Sequence, residues 1–189
     1  DLGQVYPIAR GSAPLMTAAL ATLWLGESLG PFAWAGIVVL AGGILLLAAR
    51  GGRSAKGFDA RSVGFALLTS LTITAYTLVD GTGARLAGSA AQYTVWLFVL
   101  SGGTMAMYGL LRIGTRLVGD FAANWKLALA GAALSTAAYA IAIWAMTVAP
   151  IALVAALRET SVLFAALFSM ALLREPVVAA RIAAACLVL

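Results

Sequence analysis

Long apolar runs broken by short polar stretches dominate the chain. Seven runs, at residues 5–25, 32–49, 63–79, 92–111, 127–148, 151–173 and from 177 onward, come near the length of a membrane span. Such a span takes about 20 mostly apolar residues. None of the runs alternates apolar and polar positions, and each is longer than an ordinary strand, so the pattern predicts helices. In lipid only helices and closed barrels satisfy their own backbone polar groups. The breaks are a turn at residues 26–31, a polar linker at 50–62, a second polar stretch at 112–126, Pro150, and the Arg174-Glu175-Pro176 stop. Pro7 and Pro14 fall inside the first run and are expected to bend or unwind it. Gly36, Gly42, Gly43, Gly131 and Ser135 are expected to let helices approach closely.

Composition sharpens this picture. Apolar residues make up 63% of the chain and charged residues 10%, and the mean hydropathy is +1.02. A soluble domain averages roughly half apolar and a quarter charged. The expected fold class is therefore all-α, a polytopic membrane helix bundle. The lipid bilayer is its main partner. The net charge of +5 comes from basic residues in the short loops; this is membrane topology and implies no nucleic acid. Histidine is absent and Cys186 is the single cysteine, which removes the usual metal ligands and the commonest general base. No cofactor, metal site or catalytic residue is expected. The chain opens at Asp1 without a methionine and stops at Leu189 within an apolar run, so it reads as a piece of a longer protein.

The chain also repeats itself weakly. One ungapped offset matches Arg10, Leu15, Ala18, Leu25 and Glu27 to Arg158, Leu163, Ala166, Leu173 and Glu175. The charged pairs carry most of the signal, because leucine and alanine matches between apolar helices are cheap. An odd number of crossings separates the copies, so they insert in opposite directions. Inverted repeats are an architecture of secondary transporters, with the substrate site near the midplane.

The same residues resemble a known family. Val5-Tyr-Pro-Ile-Ala-Arg-Gly-Ser-Ala-Pro-Leu15 with Leu25-Gly-Glu27 and Trp34-Ala-Gly36, and Ala149-Pro-Ile-Ala-Leu-Val-Ala-Ala-Leu-Arg-Glu-Thr-Ser161 with Arg174-Glu175, resemble EamA-like repeats of the drug/metabolite transporter superfamily. The resemblance implies a ten-helix fold of two inverted five-helix repeats. The chain would supply helices four to ten, with the N-terminal part missing. Residues 1–49 would end the first repeat, 50–62 would be the linker, and 63–189 would be the second repeat, truncated in its last helix. It implies transport, by an exporter, of small metabolites such as amino acids or related solutes across the cytoplasmic membrane.

Few residues inside the apolar runs carry chemistry. Arg158 lies about two turns into its run, where a charge is costly and normally faces a cavity or a partner. Its guanidinium suits a substrate carboxylate or phosphate; the plainer alternative is a structural ion pair. Arg10 is its repeat-mate, with Tyr6 on the same helical face, and Tyr139 is a cavity-lining candidate beside Tyr93, Trp96 and Trp144. Glu159, adjacent to Arg158, points about 100° away and needs a neighbour of its own. Thr72, Tyr76 and Asp80 form a stripe expected to face the bundle interior. Asp80 and Glu159 are the candidates for proton coupling, and a proton or ion gradient is the expected driving force, since no nucleotide-binding motif is present. A membrane enzyme lacks its catalytic cluster here; a passive channel or scaffold is the alternative to a transporter. The positive-inside rule places the basic loops in the cytoplasm, whereas the usual family arrangement implies the reverse.

Overall fold

The computed structural model describes residues 2–51, 60–114, 116–161 and 164. Among these it is all-α, with six helices: α1 (Leu2–Leu25), α2 (Pro31–Gly51), α3 (Ala60–Leu86), α4 (Ala90–Ile113), α5 (Arg116–Val148) and α6 (Ile151–Glu159). Three stretches, Ala60–Leu86, Ala90–Ile113 and Phe121–Val148, are long and apolar enough to cross a membrane. Large apolar side chains such as Leu68, Val99, Leu111 and Leu134 lie exposed along them, as on a multi-pass membrane protein whose solvent is lipid. The expected helix from residue 177, the far half of the one at 151–173, Cys186 and Glu175 lie outside the described residues.

Helices α1 to α5 run longer than the apolar runs alone. Helix α1 runs unbroken past Pro7 and Pro14 instead of unwinding; a proline removes one donor, and the neighbouring turns hold. Helix α3 continues to Leu86, so Asp80, Gly81 and Gly83 are helical. The polar stretch at 112–126 is mostly helical too, folded into α4 and α5, with a non-helical kink at Asn124 (φ −120°, ψ 19°).

The described chain forms two compact units. One takes residues up to Val79 and from Ala149 onward, the other Asp80–Val148; the division falls within α3. In the first unit α1 packs on α2 and α6. Its buried face carries Ala9, Ala13, Thr17, Ala18 and Ala21, and Ile37, Leu40, Ala41 and Ile44 of α2 are buried too. Between helices in lipid, packing and interhelical hydrogen bonds replace the hydrophobic drive, so small side chains matter. The small residues that matter are these alanines. A methyl group added at Gly36, Gly42 or Gly131 would meet open space, and Ser135 is exposed, so the contacts expected of these four are not made, whereas Gly43 is buried. Gly26, at φ +66°, turns the chain out of α1, a backbone conformation that costs glycine little.

Hydroxyls join α1 to α3. Ser12 Oγ and Ser70 Oγ lie 2.6 Å apart, and Ser70 Oγ donates to the Ala9 carbonyl at 2.8 Å. Thr17 Oγ1 meets Thr74 Oγ1 at 3.3 Å. Ser70, Thr74 and Thr77 are buried, whereas Thr72 is exposed and Tyr76 is only partly covered. The buried polar face of α3 facing α1 is Ser70–Thr74–Thr77; of the expected stripe Thr72, Tyr76 and Asp80, Asp80 is buried, Tyr76 is partly covered and Thr72 is exposed. Both sets keep helical spacing, and the hydroxyls of α1 decide which one faces that helix.

In the second unit α4 packs on α5. Ser89 caps α4, accepting from the Gln92 amide at 3.3 Å, and Gly114 at φ +70° ends it. Arg85 Nε donates to the Met146 carbonyl at 2.8 Å, serving one of the last carbonyls of α5, which lack helical partners.

Candidate functional site

Two clusters of polar side chains sit within these units. In the first unit, α1 and α6 run antiparallel: Arg10 of α1 meets Glu159 at the end of α6, and Glu27, just beyond α1, meets the start of α6. Arg10 Nη1 donates to both carboxylate oxygens of Glu159, at 3.1 and 3.3 Å. The pair is asymmetric, the Glu159 side chain being 6% exposed and that of Arg10 32%. An ion this far out of water needs a partner, and Arg10 supplies it. The neighbour that Glu159 requires is thus the repeat-mate of Arg158.

Beside this pair lies a small cleft of ≈ 10 Å³, lined by Pro14 and Thr17 of α1, Tyr76 and Thr77 of α3, and Arg158 and Glu159 of α6. That is room for about one water, so it is the chemistry of the lining, not the space, that bears on function. Its wall offers a guanidinium, a carboxylate and three hydroxyls. This is the chemistry that holds an anionic or zwitterionic polar group by charge-assisted hydrogen bonds. Thr17 and Thr77 escape composition-based reading; the signal for Thr77 is the helical spacing of Ser70, Thr74 and Thr77 on α3.

Glu27 does different work. Its carboxylate accepts from the Ile151 amide at 2.9 Å and the Ala152 amide at 3.5 Å. Pro150 precedes α6 and offers no side-chain cap, and the first amides of a helix are orphaned and favour negative charge. Glu27 is a capping residue, consistent with its position in a turn.

The second cluster centres on Asp80, 7% exposed. Tyr93 of α4 donates its hydroxyl to Oδ1 at 3.0 Å, and Tyr139 of α5 donates to Oδ2. Phe98 holds the Tyr139 ring edge-on, with centroids 5.8 Å apart, and Tyr93 lies flush on Gly83, where a methyl group would come within 2.6 Å of the ring. Both oxygens of the carboxylate are occupied by phenols.

Arg10, Glu159 and Arg158 therefore come together in the first unit, and Asp80 and Tyr139 come together in the second. The Tyr6 side chain lies outside the described residues. Trp96 and Trp144 are more than half exposed, in keeping with the more usual role of such aromatics as anchors or packing residues. No group of three or more metal-ligating side chains occurs among the described residues. No family model, curated protein or solved structure matches the chain.

Proposed function

We propose that the chain is an EamA-like secondary transporter of the drug/metabolite superfamily, an exporter of small metabolites such as amino acids or related solutes across the cytoplasmic membrane. The observation that carries this is the ion pair of Arg10 with Glu159 beside Arg158, on antiparallel helices at the wall of a small polar cleft. Charges of this kind within apolar helices mark substrate or ion paths. The antiparallel contact of α1 with α6 supports two inverted repeats. Arg10 and Arg158 are repeat-mates, and the pair links one copy to the other. In this mechanism the two halves rock about the cleft, Arg158 and Arg10 hold an anionic group, and Asp80 or Glu159 takes up the coupling proton.

Flux through the full-length protein in proteoliposomes tests the proposal. The panel holds amino acids, phosphorylated metabolites and cationic drugs, each with and without a proton gradient. Saturable, gradient-dependent flux of an anionic or zwitterionic solute is expected. Replacing Arg158 with alanine should lower it by at least about tenfold, the cost of one charged hydrogen bond. Non-saturable leak that ignores the gradient would favour a channel instead.

A further inference from the structure

We propose that the connection between α4 and α5 is a docking surface for anionic phospholipid headgroups. Helix α4 has 24 residues, about 36 Å at 1.5 Å per residue, enough to cross a hydrocarbon layer of about 30 Å. The part of α5 beyond its kink, residues 125–148, has the same length. The Phe98–Tyr139 ring contact fixes how the two pair. Phe98 stands as far before the end of α4 as Tyr139 stands after Asn124. The two spans are therefore matched end to end, and the described residues between them, 114 and 116–124, are left at the level of the membrane surface.

The chemistry of that connection fits the place. Residues 116–123 form a helical segment set off from the rest of α5 by the kink at Asn124. Val118 and Phe121, each more than half exposed, share one side of it, and the helical period puts Arg116 on the other. Such a short amphipathic helix lies in the interface with its apolar side down. Arg112, Arg116 and Lys126 are all exposed, and Asp120 is the one acidic residue in the stretch. Two of the three cations rest against aromatic rings: Arg112 lies over Tyr108 at 5.7 Å and donates to its hydroxyl at 3.2 Å, and Lys126 lies over Trp125 at 5.8 Å. Aromatic rings at a span's end sit at headgroup depth, so the charges they steady are held at the height of the lipid phosphates. Phosphate is the anion that a guanidinium fork matches. A surface of net positive charge flanked by apolar anchors recognises an acidic headgroup in preference to a zwitterionic one.

The test is lipid selectivity of the full-length protein in phosphatidylcholine vesicles, measured with spin-labelled phosphatidylglycerol against spin-labelled phosphatidylcholine. The intact protein should prefer the anionic probe, and added salt should weaken the preference. Replacing Arg112, Arg116 and Lys126 together with glutamine should lower the relative association of the anionic probe several-fold, up to roughly fivefold per cation. Arg112→Lys with Arg116→Lys should keep the preference and shows that the surface tolerates substitution without unfolding. Arg85→Gln, outside the connection, should leave it unchanged. Equal association of the two probes with the intact protein would overturn the proposal. So would a preference that survives the triple replacement, which would place the anionic lipid elsewhere.

Discussion

Arg10 and Glu159 show what a single contact between distant residues contributes. Arg10→Gln leaves a nearly buried carboxylate without its cation. Breaking a buried pair costs about 3–5 kcal/mol, and the partial exposure of Arg10 argues for the low end. Thermal unfolding in detergent should show that loss, and Arg10→Gln combined with Glu159→Gln should regain most of it. Equal stability of the single and double variants would mean that the pair carries no coupling. Gly83 makes a second residue-scale test. Gly83→Ala drives a methyl group into the Tyr93 ring and should destabilise by about 1–3 kcal/mol. Gly131→Ala, facing open space, should be neutral or stabilising by up to about 1 kcal/mol; similar losses at both sites would contradict the packing. The cost of a charge inside an apolar run is legible in the sequence, and it singles out Arg158, Arg10, Glu159 and Asp80. Their partners are not legible. Glu159 and Arg10 are 149 positions apart, and only the packing of α1 on α6 decides that they meet. The same holds for Gly83, which no local pattern distinguishes from the glycines that face open space.

At the scale of elements, three helices converge on Asp80. Tyr93 and Tyr139 each donate to one carboxylate oxygen, so the carboxylate ties α4 and α5 to the end of α3. A hydrogen bond to a charged group is worth about 1.5–3 kcal/mol. Tyr93→Phe and Tyr139→Phe should each lower the unfolding midpoint by an amount of that order, and the double variant should lose more than either. Unchanged stability in both single variants would show that the phenols do not hold the helices. The helices themselves were readable from hydropathy, because length and apolar content are local properties. Their ends were less so. Residues 112–126 look like a loop by composition, yet they fold as helix on either side of Gly114 and the kink at Asn124, because an amphipathic segment can stay helical at a surface without being apolar throughout. That Ser70, Thr74 and Thr77 turn inward while Thr72 does not also escaped the sequence. Two polar stripes with the same period compete on α3, and the hydroxyls of α1 select between them.

For the whole molecule, the distribution of basic residues makes a prediction that charge and apolar length decide together. The positive-inside rule places the α4–α5 connection in the cytoplasm. With Cys186 replaced by serine, Gly119→Cys should resist an impermeant thiol reagent applied to intact cells and react once the membrane is opened; labelling from outside would reverse the orientation. The cap on α6 bears on how such a molecule is made. Glu27 and its partner amides at Ile151 and Ala152 are separated by more than a hundred residues, so synthesis delivers the acceptor long before the donors. Once α6 arrives, the same carboxylate acts as a latch. The last described helix is fastened by a residue from the first turn of the chain, so the early hairpin is a template that late segments complete. Whatever orders that hairpin therefore also prepares the acceptor that the first amides of α6 meet later.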